Sequence, residues 1–184
     1  MENFFENVKK KFNDFSKPSV KFPFEVLYEE GIVTKKFVED KKPLGVIFNK
    51  CLIVLEDVTQ GGLPFYLNWR QTTEHCKNVR AGMDGGKKDF WDDLFQKNQF
   101  DRVNEVITAL GGSPLKRKAW YWTGENLADE ETAWAWCYDV SPETLSYSIT
   151  PLKSESEYLL LRPVIDLKTY PLEYFPITDL VFNS

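Results

Sequence analysis

The chain has 184 residues and a formal net charge of −5, and 42% of its residues are hydrophobic and 15% aromatic. This composition supplies enough apolar surface for one packed domain and argues against an intrinsically disordered chain. The acidic balance argues against a general nucleic-acid binder, which would carry a basic face, so we expect no nucleic-acid partner.

The apolar runs and the cysteines indicate where in the cell the protein is expected. The runs "CLIVL" (51–55) and "YLLL" (158–161) are far shorter than the ~20 residues that a membrane span needs, so no span is expected. The N-terminus lacks the apolar segment of an export signal. Three cysteines, Cys51, Cys76 and Cys137, share no CxxC spacing, and an odd count favours reduced, buried thiols. We therefore expect a cytoplasmic protein, without excluding its release together with a particle.

The first forty residues are predicted to form a helix, a connector and short strands. Residues 3–16 place phenylalanines at helical spacing between charged residues, which indicates an amphipathic helix packed on the body or on a partner. Oligomers could form through this helix. Residues 16–24 are rich in proline and are predicted to be a connector. Residues 25–39 are predicted to form one or two strands broken at Gly31.

The next segment predicts a β-hairpin followed by a helix. "PLGVIF" (43–48) and "CLIVLEDV" (51–58) are β-branched runs separated by the turn "NK". After the loop "QGGLP" (60–64), Asn68 and Gln71 resemble a capping box that opens a helix over about 69–80. Its apolar stripe is Trp69, Thr73, Cys76 and Val79, and the glycine-rich loop 81–89 follows.

The remaining chain predicts two further helices and then strands. Phe90, Trp91, Leu94 and Phe95 mark a short helix, and Phe100, Val103, Ile107 and Leu110 mark another that ends at "GGSP" (111–114). Beyond residue 118 the hydrophobic period changes to two, which indicates an antiparallel β meander. The predicted class is α+β, with an N-terminal segment (1–40), a main domain (41–167) and a C-terminal tail (168–184) that lies against the body.

We find no constellation typical of catalysis or of a metal site. His75 is the only histidine, and its neighbour Cys76 points about 100° away on a helix, so the two cannot form a nucleophile–base pair. A zinc site needs more histidine and cysteine ligands than this spacing offers. We therefore predict no metal, no cofactor and no enzymatic activity.

Two tryptophan pairs flank an acidic loop near the C-terminal end. Trp120 and Trp122 alternate with other residues in one predicted strand, and Trp134 and Trp136 alternate in the next, so each pair points to one face of the sheet. Four indoles could form a stacking platform for sugars or bases. The favoured interpretation is a core layer in which each indole N–H donates to a backbone carbonyl.

The loop from Glu125 to Thr132 contains four carboxylates and no cation. Such oxygens are of the kind that calcium prefers, but a solvated acidic loop is the favoured interpretation. If the loop contacts a ligand, the candidate binding residues are Trp122, Glu125, Asn126, Asp129, Glu130 and Glu131.

The order of several segments resembles a known family. "PLGVIF…LIVLEDV" opens the series, a tryptophan-led helix follows, and "VNEVITALGG" (103–112) ends a later helix. "WYWTGEN" (120–126), "AWAWCYDV" (133–140) and "LLLRPVIDL" (159–167) complete it. In this order, residues about 43–167 resemble the bacterial DUF1566 / Lcl C-terminal-like domains. The family's Trp-Arg-Leu-Pro signature is replaced here by "MDGGKKDFW" (83–91).

The resemblance implies a C-type lectin-like fold. It implies that the strand after Pro43 pairs with the last strand before Lys168, and that the acidic loop lies on the side where such folds bind ligands. The calcium-dependent sugar-binding signatures of animal C-type lectins are absent, so that activity is not implied. Formylglycine-generating enzymes, which share the fold, need a redox-active cysteine pair that this chain does not show.

The function expected from the resemblance is therefore recognition. Phage receptor-binding proteins use the same fold as a rigid scaffold for variable surface residues, which needs no catalytic group. We expect a non-enzymatic module that binds a protein or glycan through the loops near 60–68, 81–89 and 124–132. The alternative is a structural or assembly subunit of a bacterial or phage particle, and a thiol oxidase is the least favoured hypothesis.

Overall fold

The computed structural model describes residues 21–79, 82–96, 99–128, 131–141 and 144–170. Helices and antiparallel sheets are both present in these residues, which confirms the predicted α+β class. The predicted helix 3–16 and residues 171–184 of the predicted tail lie outside the described residues. The elements, in chain order, are β1 (Lys21–Tyr28), β2 (Val33–Lys36), β3 (Pro43–Phe48), β4 (Cys51–Val54), β5 (Thr59–Gln60), β6 (Leu63–Pro64), α1 (Trp69–Val79), β7 (Met83–Asp84), α2 (Lys88–Phe95), α3 (Gln99–Ala109), β8 (Trp120–Asn126), β9 (Thr132–Ser141), β10 (Thr144–Lys153) and β11 (Val164–Asp166).

The larger sheet has six strands in the order β2–β1–β3–β4–β11–β7. Its centre is the predicted hairpin β3–β4, in which Phe48 pairs with Cys51 across a two-residue turn. Both turn residues, Asn49 and Lys50, have positive φ, as the tight type I′ hairpin turn requires. The hairpin prediction is confirmed.

The position of the last strand corrects one expectation. The strand after Pro43 does not pair directly with the last strand, because β11 pairs with β4, with Val164 opposite Ile53. The tight turn holds β4 against one edge of β3, and β1 occupies the other edge, where Val26 lies opposite Val46. Both edges of β3 are therefore already filled, and the last strand joins the sheet one position further along.

Strand β1 begins earlier than the sequence predicted. Residues 21–24 were assigned to the connector, but they are the start of a strand that pairs with β2 and β3. The physical reason is burial, because Phe22 is enclosed while Pro23 is exposed on the opposite side. The predicted break at Gly31 is confirmed, with φ of 75°. Residues 21–36 thus add two strands to the main sheet.

The smaller sheet has the order β10–β9–β8 and packs over the helices. The main core is the layer between the two sheets, where α2 and α3 contribute Trp91, Leu94 and Phe100. The opposite face of the larger sheet packs against α1, with Leu52 and Cys76 in a second core cluster. All four apolar residues predicted for α2 are buried. No helix in the described part of the chain has the length and apolarity to cross a membrane.

Helix α1 opens with the capping box that the sequence predicted. The Gln71 N–H donates to Asn68 Oδ1 at 2.9 Å, and the Asn68 N–H donates to Gln71 Oε1 at 3.0 Å. This reciprocal pair satisfies two backbone donors at the start of the helix. On the stripe, Cys76 is buried as predicted, but Thr72 is buried where Thr73 was expected. The start of α1 is therefore determined by two residues close in sequence, Asn68 and Gln71.

Replacing Asn68 with alanine should lower the free energy of unfolding by about 1 kcal/mol, because the Gln71 N–H loses its acceptor. Urea denaturation followed by circular dichroism measures this loss. Asn78→Ala, an exposed change near the end of the same helix, is the matched control and should cost nothing measurable. Equal losses in the two variants would contradict the capping role of Asn68.

Candidate functional site

The loops named from the sequence meet at residues 123–125, near the end of β8. The Trp69 indole N–H, just after the first loop, donates to the Thr123 carbonyl at 3.1 Å. From the glycine-rich loop, the Gly86 carbonyl accepts the Gly124 N–H at 2.7 Å. The Lys88 N–H donates to Glu125 Oε2 at 2.8 Å. Two segments that are distant in sequence, the start of α1 and residues 86–88, are therefore fastened to one short stretch of strand.

The contact between the glycine-rich loop and β8 leaves no room for side chains. A Cβ on Gly85 would lie 2.6 Å from the Trp122 carbonyl oxygen, and one on Gly124 would lie 2.6 Å from the Asp84 carboxyl carbon. The carbonyl of Gly85 also accepts the buried Trp91 indole N–H at 2.7 Å. The glycines thus allow the loop backbone to lie directly against the strand, which holds the loop rigid.

The four tryptophans do not form a common platform. Strand register places Tyr121 opposite Trp136 and Trp122 opposite Ala135, so Trp122 and Trp136 point to opposite faces of the sheet. Both indoles are fully enclosed, which confirms the core interpretation for these two. Trp120 and Trp134 are half-buried. A shared stacking surface is excluded by this register.

The two buried indoles differ in their hydrogen bonding. Trp122 Nε1 donates to the Leu67 carbonyl at 2.7 Å, as predicted for a core tryptophan. Trp136 Nε1 has no partner among the described residues, and its ring is stacked on Tyr121 at 4.3 Å. Trp122 was one of the candidate ligand residues, but its enclosed side chain offers no surface to a ligand.

Among the other candidate residues, Glu125 and Asn126 lie at the end of β8, and Glu131 lies just before β9. Glu125 is half-buried and accepts a hydrogen bond from the first backbone N–H of α2. Its negative charge there is attracted by the positive end of the helix dipole. Asn126 and Glu131 are exposed, and the Glu131 carbonyl accepts the Ser154 N–H at 2.9 Å. Asp129 and Glu130 lie outside the described residues. Glu125 therefore has a structural partner that the sequence did not suggest.

Three large apolar side chains are exposed on the short hairpin β5–β6 and on the segments beside it. Leu63 is 71% exposed, and Tyr66 and Tyr158 are each 54% exposed. The two tyrosines adjoin the paired residues Leu67 and Leu159, which exchange backbone hydrogen bonds of 2.9 Å. We call Leu63, Tyr66 and Tyr158 the hairpin patch. Large apolar side chains grouped on an exposed loop are typical of contact surfaces.

A buried ion pair fixes the chain beside this region. Arg162 is fully enclosed, and its Nε donates to Asp57 Oδ1 at 2.8 Å. The Tyr121 hydroxyl donates to Asp57 Oδ2 at 3.0 Å and accepts the Lys116 N–H at 3.0 Å. Burial raises the pKa of Asp57, and the Arg162 guanidinium opposes that shift. This network was not predicted from the sequence, although an arginine inside the apolar run "LLLRPV" was a signal for it.

A cleft of about 220 Å³ opens on the other side of the glycine-rich loop. It lies between the β3–β4 turn, the end of β11 and the start of α2, and part of its wall is apolar, from Cys51, Phe90 and Val164. Its charged lining residues are Asp84, Lys87, Asp89, Asp93, Asp166 and Lys168. The cleft therefore combines an apolar wall with charges of both signs, in which carboxylates outnumber amines.

Cys51, Cys76 and His75 lie in environments that suppress their ionisation. Burial raises the pKa of Cys51 to about 11 and that of Cys76 to about 12, and it lowers the pKa of His75. Neither thiol is therefore present as the thiolate that acts as a nucleophile near neutral pH. Cys76 and Cys137 are buried and reduced as predicted, whereas Cys51 is half-buried. Among the described residues, no three histidine, cysteine, aspartate or glutamate side chains are arranged to hold a metal ion.

No protein-family model, no curated protein and no solved structure matches this chain. The resemblance to DUF1566 domains therefore rests on the sequence motifs alone.

Proposed function

We propose that this chain is a non-enzymatic recognition module on a C-type lectin-like scaffold, and that it binds a protein or glycan through the loops near 60–68, 81–89 and 124–132. The observation that carries the proposal is the hairpin patch, in which Leu63 and Tyr66 stand in solvent on a loop whose base is tied to the core at Leu67. A rigid base reduces the conformational entropy that a loop loses when it binds a partner.

The arrangement of the body supports a scaffold role. The backbone of the glycine-rich loop is fixed to β8 by the Gly124 N–H, which donates to the Gly86 carbonyl, and the Trp69 indole N–H at the start of α1 donates to the Thr123 carbonyl of the same strand. In this proposal the fold supplies rigidity, and recognition depends on exposed side chains alone. The raised pKa of Cys51 and Cys76 supports a non-enzymatic role for those thiols.

Strand β10 favours a second candidate, a structural or assembly subunit. It is the edge strand of the smaller sheet, and it pairs with β9 over ten residues. Residues 144–152 carry no charge, whereas the edge strand β2 of the larger sheet is short and contains two lysines. The segment 144–150 of this edge strand, which lacks both charge and proline, is able to pair with a strand of another chain, whereas Pro151 and Lys153 disfavour pairing at the end of β10. Sedimentation of the full chain at several concentrations would reveal such self-assembly.

Replacing Leu63 and Tyr66 together with serine should weaken binding to a partner found by glycan array or affinity capture by at least about tenfold, because both side chains would be buried in the complex. The stability of the protein should stay within about 0.5 kcal/mol of wild type, since both positions are exposed. Surface plasmon resonance and urea denaturation measure the two quantities.

The matched control replaces Ile32 and Val33, which are exposed apolar residues at the start of β2 (36% and 37%). This double serine variant should bind as wild type does. Equal binding by the hairpin variant, or measurable turnover of any substrate at the described thiols, would contradict the proposal.

A further inference from the structure

The cleft beside the glycine-rich loop has room for a small molecule and a lining that is partly apolar and partly charged. It is built from three separate parts of the chain, which meet at Cys51, Gly86 and Val164. Its volume of about 220 Å³ exceeds that of a single water molecule many times over. An apolar wall with a few converging polar groups is the usual composition of a binding cavity.

The charges of the cleft are unbalanced. Four carboxylates, Asp84, Asp89, Asp93 and Asp166, face two amines. None of these six groups takes part in an ion pair within the part of the chain that the structure describes. Lys87 and Lys168 are exposed, whereas Asp84 and Asp166 are half-buried. The interior of the cleft is therefore more negative than its rim.

Asp84 is a cleft carboxylate whose neighbours offset its burial only in part. Its Oδ1 accepts the Gly86 N–H at 2.6 Å. Burial raises the pKa of Asp84, and the charges of Glu125 and Asp166 act in the same direction, against the Gly86 N–H and Lys87. By contrast, Asp166 accepts the Lys168 N–H at 2.9 Å and the Thr169 hydroxyl at 3.0 Å. A cation placed beside Asp84 would relieve a repulsion that the folded chain otherwise carries.

We propose that this cleft binds an organic cation that carries a primary ammonium group, with Asp84 and Asp166 as its interior anions. The carboxylates do not converge as metal ligands do among the described residues, so an extended cation fits better than a metal ion. Phe90 in the wall contributes apolar surface that can contact the methylene groups of such a cation. The glycine-rich loop (82–89) belongs both to this cleft and to the surface of the proposed function. Through this loop alone, the inference rests on the proposed function.

The direct test is a titration of the full chain with 1,5-diaminopentane, followed by ¹H–¹⁵N NMR. Saturable shifts are expected at the amides of Gly86, Lys88 and Gly124, which adjoin the cleft. Pentane-1,5-diol has the same length without charge and should cause no saturable shift. The same titration with Nα-acetyl-lysine amide distinguishes the source of the ammonium group, because tighter binding of this compound would indicate a lysine side chain of a protein ligand.

Two variants locate the anions. Asp84→Asn keeps an oxygen for the Gly86 N–H but removes the charge, and it should weaken diamine binding by about tenfold. Asp89→Asn at the exposed rim should weaken binding less and cannot disturb the core. Asp40→Asn removes the same charge at an exposed position that does not line the cleft and should bind as wild type does.

The pH dependence of stability and of diamine binding provides an independent test of the role of Asp84. Because the pKa of Asp84 is raised on folding, the folded chain takes up a proton more readily than the unfolded chain. Asp84→Asn should therefore raise the midpoint of urea denaturation at pH 7, and this gain should vanish below the ordinary carboxyl pKa of about 3.8. Diamine affinity should fall as Asp84 becomes protonated.

An unshifted NMR spectrum, identical shifts with the diol, or undiminished binding by Asp84→Asn would each overturn the inference. Binding of a macromolecule at the hairpin patch would be unaffected by any of these results.

Discussion

Replacing Arg162 with methionine should lower the free energy of unfolding by about 3–5 kcal/mol, because the change leaves Asp57 buried without a cation. It also removes the Nη donors to the Val54 and Ser113 carbonyls, at 3.0 and 2.6 Å. Domains of this size are stable by only about 5–15 kcal/mol, so the variant should be close to unfolding at 37 °C. Urea denaturation at pH 7 measures the loss.

The control for this variant is Arg70→Met. Arg70 pairs with Glu155 at 3.7 Å, but the side chains are 81% and 76% exposed. An exposed pair of this kind contributes about 0–1 kcal/mol, so the control should be nearly neutral. A similar cost at both positions would mean that Arg162 is not enclosed.

The pH dependence of the Arg162 variant has a definite sign. Without the guanidinium, burial raises the pKa of Asp57 further, and the folded state then binds a proton that the unfolded state releases. The destabilisation should be complete above the folded-state pKa of Asp57 and should shrink as the pH falls through it. The loss measured at pH 4 should therefore be smaller than that at pH 7.

Replacing Trp136 with alanine should cost about 3–5 kcal/mol, since the change opens a cavity where the ring now packs. The indole lies 4.5 Å from the Trp91 ring and 5.2 Å from the Phe95 ring, in addition to its stacking on Tyr121. The same urea measurement applies. A loss below about 1.5 kcal/mol would indicate that the ring is exposed.

Phenylalanine variants separate packing from hydrogen bonding. Trp136→Phe removes an N–H that has no partner among the described residues, whereas Trp122→Phe removes the donor to the Leu67 carbonyl. Both indoles are fully buried, so similar packing is lost in each case. Trp122→Phe should therefore be the more destabilising of the two by about 1 kcal/mol.

Features determined by neighbouring residues could be predicted from the sequence. The turn at Asn49 and Lys50 follows from its position between two β-branched runs, and the cap at Asn68 follows from Gln71 three residues later. The alternation of tryptophans with other residues along two predicted strands also indicated that tryptophans would fill the core. These features depend on backbone geometry within a few residues, and the surrounding fold does not alter it.

Features that join distant segments could not be predicted in this way. The register of β8 against β9 decides whether Trp122 and Trp136 share a face, and a shift by one residue would reverse the answer. Arg162 and Asp57 are 105 residues apart. The acceptor role of Glu125 at α2 likewise depends on how the glycine-rich loop packs against β8. Only the assembled fold determines these contacts.

The first hairpin and the last strand are joined in one sheet, which supports the loops proposed for binding. Backbone bonds from the Val54 N–H to the Pro163 carbonyl and from the Leu167 N–H to the Lys50 carbonyl make Ile53 and Val164 a non-hydrogen-bonded pair. Their α-carbons should then lie about 4.5 Å apart. A strong nuclear Overhauser effect between the Hα protons of Ile53 and Val164 is the predicted result. Its absence in the folded protein, or an Ile53 Hα contact to a different strand, would contradict the account.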